Sequence, residues 1–279
     1  MMAAEARPRP LMKPAQASRL AAGALLATVE AARGEHPLLD WLILTAVARL
    51  PGPASIARVA SALRLSPEAM GGRLARLHRR GFCTLVPAGV EVRHAGLRAP
   101  GASAQAVVAY EQVRQLYYRL RDLDLWRRPD CAQDRDGAAS PDASVMAVFV
   151  RLLGDYVLRS VDAATPPGGD VEAQLMLLAI LRANTWHLAD TGDFAPDALR
   201  RPAAIETLAH RLGVPTVTAR RLLAEGRCSL EGRGLVAPAD LLAQPAWTRF
   251  TSASLYGLTQ MLSGLDDLGV LADWEARRP

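Results

Sequence analysis

The sequence predicts a mainly α-helical protein with two small β-hairpin wings, in which one succession of elements is used twice. Composition points to helices: half of the 279 residues are hydrophobic and aromatics are only 5%. Ala, Leu and Arg, all good helix formers, dominate. Self-similarity points to the duplication. Ala24–Ala32 (ALLATVEAA) matches Tyr156–Ala164 (YVLRSVDAA), and Leu42–Arg49 (LILTAVAR) matches Leu175–Arg182 (LMLLAILR), at shifts of 132 and 133 residues. Ile56, Val59, Ala60, Leu63 and Leu65 return as Ile205, Leu208, Ala209, Leu212 and Val214, at a shift of 149. Gly81–Leu85 (GFCTL) returns as Gly226–Leu230 (GRCSL), and that shift of 145 then runs without a gap past Leu120 and Leu265. Four blocks in one order are hard to obtain by chance, even in a chain rich in Leu and Ala. The changes of shift place 16 extra residues between Arg182 and Ile205, and a deletion of 4 between Leu223 and Gly226. The deletion is about one helical turn.

In the first copy, Ser18–Arg33 has apolar residues at helical spacing and stops at Gly34, a residue suited to a helix C-terminus. His36–Leu50 is a strongly apolar helix ended by Pro51-Gly52-Pro53. Ser55 caps a short helix, Ile56–Leu63, and Arg64-Leu65 makes a turn. Ser66 caps the next helix, with Pro67 in its first position, where a missing N–H costs nothing. That helix runs towards Arg80 with Met70, Leu74 and Leu77 on one face, and Gly81 ends it. Phe82–Val86 and Val90–Arg93 form a hairpin around Pro87-Ala88-Gly89. A long amphipathic helix follows over Ala104–Trp126. The second copy gives a helix over Val145–Ala163, a short helix over Ala203–Arg211, a turn at Leu212-Gly213-Val214, and a third helix opened by Pro215. Its hairpin has Glu231-Gly232-Arg233-Gly234 at the tip, and its long helix spans Thr251–Leu271. The expected domains are a flexible tail (1–17), repeat one (18–129), a linker (130–144) and repeat two (145–279).

Helix, short helix, tight turn, helix and hairpin is the order of a winged helix-turn-helix. In such a fold the helix after the turn enters the DNA major groove and the hairpin reaches the backbone or the minor groove. Charge follows this geometry. Residues 1–129 hold 19 Arg+Lys against 9 Asp+Glu, whereas residues 130–279 hold 14 against 19. Within the acidic half, segment 200–233 still carries seven Arg against three Glu. A basic face suggests a polyanionic partner. The candidate DNA-contacting residues are Ser66, Gly71, Gly72, Arg73, Arg76, Arg79, Arg80 and Arg93 in repeat one. In repeat two they are Thr216, Thr218, Arg220, Arg221, Arg227 and Arg233. Arg73, Arg76, Thr216, Thr218 and Arg221 are placed as base contacts. Arg79, Arg80, Arg93, Arg227 and Arg233 are placed as phosphate contacts. Gly71-Gly72, costly within a helix, has two readings: close approach to the DNA backbone, or close packing against the first helix.

The run LRLSPEAMGGRLARLHRRGF, Leu63–Phe82, resembles the cap, recognition helix and wing entry of MarR-type regulators. The resemblance extends over roughly 18–126 and 149–272, although the tip of the first wing lacks the arginine of that family. It implies a single-chain pseudo-dimer with pseudo-two-fold symmetry, whose flanking helices form a shared core and whose two heads read an asymmetric site. The expected partner is double-stranded DNA, with RNA polymerase or another regulator as further partners. The expected assembly is the monomeric pseudo-dimer or a homodimer of it. Replication or partition factors and non-catalytic protein-interaction modules also use paired winged helices and stand as alternatives.

The five histidines have no metal-ligand spacing, and there is no Walker A motif, G-x-G-x-x-G or C-x-x-C. Hence no enzyme activity and no cofactor are expected. Cys83 and Cys228 occupy corresponding places. They read as a redox pair or, more simply, as inward-facing residues at the root of each wing. Trp186, His187 and Phe194 lie in the insert of repeat two, as an effector-pocket lining or a cover over apolar helix. Tyr117, Tyr118 and Trp126 read as core. Three sparse cysteines, no apolar run of membrane-spanning length and no leader-like N-terminus predict a bacterial cytoplasmic, nucleoid-associated protein without membrane contact.

Overall fold

The computed structural model describes residues 14–50, 52–92, 100–123, 125–126, 143–167, 169–188, 199–238, 241 and 244–278. Expectations for the tail before residue 14, for residues 130–142, and for Arg93 and Phe194 lie outside these. The molecule is mainly helical with two small antiparallel sheets.

The first half contains α1 (Pro14–Arg33), α2 (Leu38–Ala48), α3 (Ile56–Ala62), α4 (Pro67–Arg79), β1 (Cys83–Val86), β2 (Gly89–Val92) and α5 (Pro100–Asp122). Local chemistry sets these boundaries. The Ser55 and Ser66 hydroxyls accept hydrogen bonds from the amides of Arg58 and Ala69, each at 3.2 Å, capping α3 and α4. Ala54 pairs with Val90 through two backbone bonds of 2.8 Å. The backbone passes so close here that a Cβ at Gly89 would lie 2.1 Å from the Ala54 carbonyl oxygen.

The second half runs through α6 (Ala143–Ala164), α7 (Val171–Thr185), a single 3-10 turn (Trp186–Leu188), β3 (Ala203–Ala204), α8 (Ile205–Leu212), α9 (Thr216–Ala224), β4 (Ser229–Glu231), β5 (Gly234–Val236), α10 (Pro245–Asp267) and α11 (Val270–Ala276). Its sheet has the order β3-β5-β4. Several boundaries differ from expectation, and α5, expected over Ala104–Trp126, spans Pro100–Asp122. Pro14 opens α1 four residues early. Ala203-Ala204 is a strand paired with Leu235 and Gly234 and not the start of a helix. The expected helix Thr251–Leu271 starts at Pro245 and breaks at Gly269, whose φ of 77° no helix interior tolerates.

Helix α10 lies along α6, and α1 lies along α5 and against α10. The halves also exchange partners: α1 packs on α7 and α8, while α6 packs on α2. One apolar core therefore runs through both halves. Trp274 of α11 is buried in it, its indole N–H donating to the Tyr110 hydroxyl at 2.8 Å while its carbonyl accepts from Tyr118 at 2.6 Å. Tyr117 is buried in the same core, and Tyr118 packs against it.

The junctions between halves are polar and specific. The buried Arg33 side chain, at the end of α1, donates to the carbonyls of His210 (2.7 Å), Arg211 (2.6 and 3.0 Å) and His36 (2.7 Å). A cation thus satisfies the last carbonyls of α8, where the helix dipole is negative. Glu30 pairs with Arg211 at 2.6 Å. On the other side, Asp162 of α6 pairs with Arg64 at 2.8 Å, at the turn after α3. Arg64 follows α3 and Gly213 follows α8, and both have a left-handed backbone, φ 54° and 64°.

Candidate nucleic-acid interface

Helices α4 and α9 each follow a short helix and a left-handed turn, and each leads into a hairpin. Met70, Leu74 and Leu77 bury one face of α4, as their spacing predicts, and leave the opposite face to solvent. Gly71 and Gly72 lie off the apolar stripe. A Cβ at either would meet nothing within 4 Å, so neither glycine serves close packing against another helix. The Ser66 hydroxyl is occupied in capping. Hydrogen bonds from its own amide and from Ser66 hold the exposed Glu68 carboxyl below its ordinary range.

Arg73 and Arg76 are anchored. Arg76 donates to both carboxylate oxygens of Asp40, at 2.8 and 3.1 Å, and Arg73 donates to one of them at 3.2 Å. Asp40, in the first turn of α2, is fully buried. Arg73 also approaches Glu172 of α7 at 3.9 Å, across the junction of the halves. Burial raises the Glu172 carboxyl above its ordinary range, and Arg73 pulls it down. The two residues expected to read bases in repeat one therefore hold an interior carboxylate. Arg79 is exposed and has no ion-pair partner among the described residues. Arg80 lies over the Phe82 ring at 4.9 Å, and Phe82 meets His36 edge-on at 4.7 Å.

On α9, Thr216 and Arg220 face outward, and Val217 is 64% exposed. Thr218 is 5% exposed, which corrects its assignment as a base contact: with the helix beginning at Thr216, positions 218, 219 and 222 form the inward stripe. Arg221 pairs with Asp170, just before α7, and lies 3.8 Å from Glu225. Arg227 donates to the Gln174 side chain at 3.0 Å. Arg233 is exposed in the two-residue turn between β4 and β5, beside Gly232 at φ 59°. Arg79, Arg220 and Arg233 are thus exposed cations with no carboxylate partner among the described residues, one on each third helix and one on a wing tip.

Asp40 was missed by the sequence reading. Its signal was a single carboxylate inside LLDWLILTAVA, where a helix buried on nearly all sides has no room for an unpaired charge. Cys83 and Cys228 are buried, and burial pushes both thiols up. That disfavours the thiolate a redox sensor needs. Of the insert, His187 donates a hydrogen bond from Nε2 to the Leu199 carbonyl at 3.0 Å. Among the described residues no cluster of His, Cys, Asp or Glu could hold a metal ion, and no helix is long and apolar enough to cross a membrane.

No protein-family model, curated protein or solved structure matches the chain.

Proposed function

We propose that the chain is a tandem of two MarR-like winged helix-turn-helix modules, a single-chain pseudo-dimer that binds double-stranded DNA sequence-specifically as a transcriptional regulator. The observation that carries the reading is the pair of third helices. Each follows a left-handed turn, precedes a hairpin and turns a bare face to solvent, with Arg79 and Gly72 on one and Thr216 and Arg220 on the other. The reciprocal packing of α1 on the second half and α6 on the first fits a pseudo-two-fold axis.

Binding to a pool of random duplexes, followed by selection, tests it. Affinity should fall steeply with salt, because phosphate contacts release counterions. Arg79→Ala should lower the slope by about one contact, and Arg220→Ala with Arg233→Ala by about two. No binding at low salt overturns the proposal. A protein-interaction module is the second reading, favoured by apolar residues exposed on α9 and on the two hairpins: Val217 at 64%, Leu230 at 53% and Leu85 at 41%. Undiminished binding of a partner protein by a DNA-silent chain would support it.

A further inference from the structure

A β-branched residue in a helix gives up side-chain freedom and normally recovers it by packing. Val217, in the first turn of α9, is instead 64% exposed. Arg220 lies on the same helix face, three residues on, and is exposed as well. Thr216 is exposed beside them, and the wing that follows carries the exposed Arg233 at its tip. An apolar side chain thus stands out among cations.

The first half has nothing equivalent. The buried stripes set the correspondence of the third helices, with Met70 and Leu74 of α4 falling on Thr218 and Leu222 of α9. Arg73 then falls on Arg221, and each is paired to a carboxylate. Glu68, Ala69 and Gly72 fall on Thr216, Val217 and Arg220. Where α9 shows a branched apolar group and a cation, α4 shows one methyl group and bare backbone. Glu68 is occupied by hydrogen bonds to its own amide and to Ser66. Arg73 and Arg76 are held by Asp40. The exposed Arg79 and Arg80 lie at the C-terminal end of α4. Base edges are reached from the N-terminal end of a recognition helix. The wings differ less, since Leu85 and Leu230 hold corresponding places and both are exposed.

The major groove of unmodified DNA displays donors and acceptors at every base pair but one kind of apolar group, the 5-methyl of thymine. A valine flanked by cations fits that methyl group, flanked by phosphates. Resting on the DNA-binding reading above, we infer that the second half alone reads bases, through contact of Val217 with a thymine methyl, while the first half grips the backbone without reading sequence. Arg79 and Arg80 then add affinity that carries no sequence information. The preferred duplex holds its information at one end, unlike the palindrome that a symmetric dimer reads.

The test uses the full chain and the duplex it selects from a random pool. Each thymine of that duplex is replaced in turn by deoxyuridine, which lacks only the methyl group. One replacement, within the constant end, should weaken binding about fourfold, the worth of one buried methyl group. Val217→Ala should bind the thymine and uracil duplexes equally, and its affinity for an unselected duplex at low salt should match that of the wild type. Glu68→Thr with Ala69→Val transplants the reading face onto α4. This variant should select a second constant thymine, and uracil there should again cost about fourfold. Thermal melts establish that each variant is folded. Failure to bind any duplex at low salt defeats the DNA-binding reading itself, and the inference with it. Three outcomes overturn the inference while leaving DNA binding in place. They are indifference to every thymine-to-uracil change, discrimination undiminished in Val217→Ala, and two constant blocks of equal strength in the site of the wild type.

Discussion

Arg76 on α4 and Arg221 on α9 each lie on the third helix of their half, and each is paired to a carboxylate at the start of the second helix of that half. The carboxylates differ. Asp40 is fully buried, while Asp170 is 43% exposed. The same ion pair therefore has two energetic meanings. In the first half the arginines neutralise an interior charge and fix α4 on α2. In the second, the pair sits in water and its net worth is small. A third helix that has to hold the core together has fewer side chains left for a ligand. This shifts the weight of any DNA contact towards Arg79 in the first half and towards Arg220 and Arg233 in the second.

The largest effect should come from removing the first pairing. Arg73→Met with Arg76→Met strands the Asp40 carboxylate in the core and should cost about 3–5 kcal/mol in urea denaturation. Arg221→Met should cost no more than about 1 kcal/mol. Equal costs would erase the distinction between the halves. It also follows that loss of DNA binding in the Arg73/Arg76 double variant would report unfolding as much as lost contacts.

Next come the two left-handed turns. Gly213 combines a φ of 64° with crowding: a Cβ there would lie 2.6 Å from Arg33 Nη1 and 3.0 Å from the His36 carbonyl. Gly213→Ala should therefore disturb the Arg33 clamp as well as strain the backbone. A cost of about 2–4 kcal/mol is expected, the sum of a left-handed penalty and one or two lost charge-assisted bonds.

How much of this was written in the sequence depends on how far apart the interacting residues lie. Ser55, Ser66 and Pro67 announced α3 and α4 because a cap acts over three residues. Leu63 and Leu212 announced the turns because the apolar period stops there. The break at Gly269 was readable in principle, since Gly after a helical run is a C-terminal signal, yet the apolar spacing of Val270, Leu271 and Trp274 continues past it and masks the stop. Thr218 was misplaced because a one-residue uncertainty in a nine-residue helix turns its faces by about 100°. Partners more than thirty residues away were not legible at all. Nothing local to Asp40 names Arg76, and nothing local to Arg33 names the end of α8.

A smaller asymmetry can be read by pH. His36, before α2, is half-buried, and burial, with Arg80 the next cause, holds its imidazole below the ordinary value of about 6.5. The unfolded chain therefore takes up this proton first as pH falls. Its contribution is full above about 6.5 and is lost on acidification through the folded value. No histidine stands before α7, where the sequence is Thr165-Pro166-Pro167-Gly168-Gly169-Asp170. His36→Gln should flatten the loss of stability between about pH 7 and 5, measured by urea titration at each pH. An unchanged pH profile would show that the edge-on contact with Phe82 does not depend on a neutral ring.

The smallest effect tests the turn opposite Gly213. Arg64 adopts φ 54°, a conformation that costs a residue with a Cβ about 1 kcal/mol. In return its guanidinium reaches Asp162, a carboxylate 62% exposed, at 2.8 Å. Exposed pairs contribute about 0–1 kcal/mol, so the two terms nearly cancel. Arg64→Gly should therefore change stability by less than about 1 kcal/mol in either direction, and raising the salt, which screens the pair, should move the balance towards the glycine variant. A loss comparable to that of Gly213→Ala would mean that the α6 junction is clamped as firmly as the α1 junction, through Arg64 in the role that Arg33 plays on the other side.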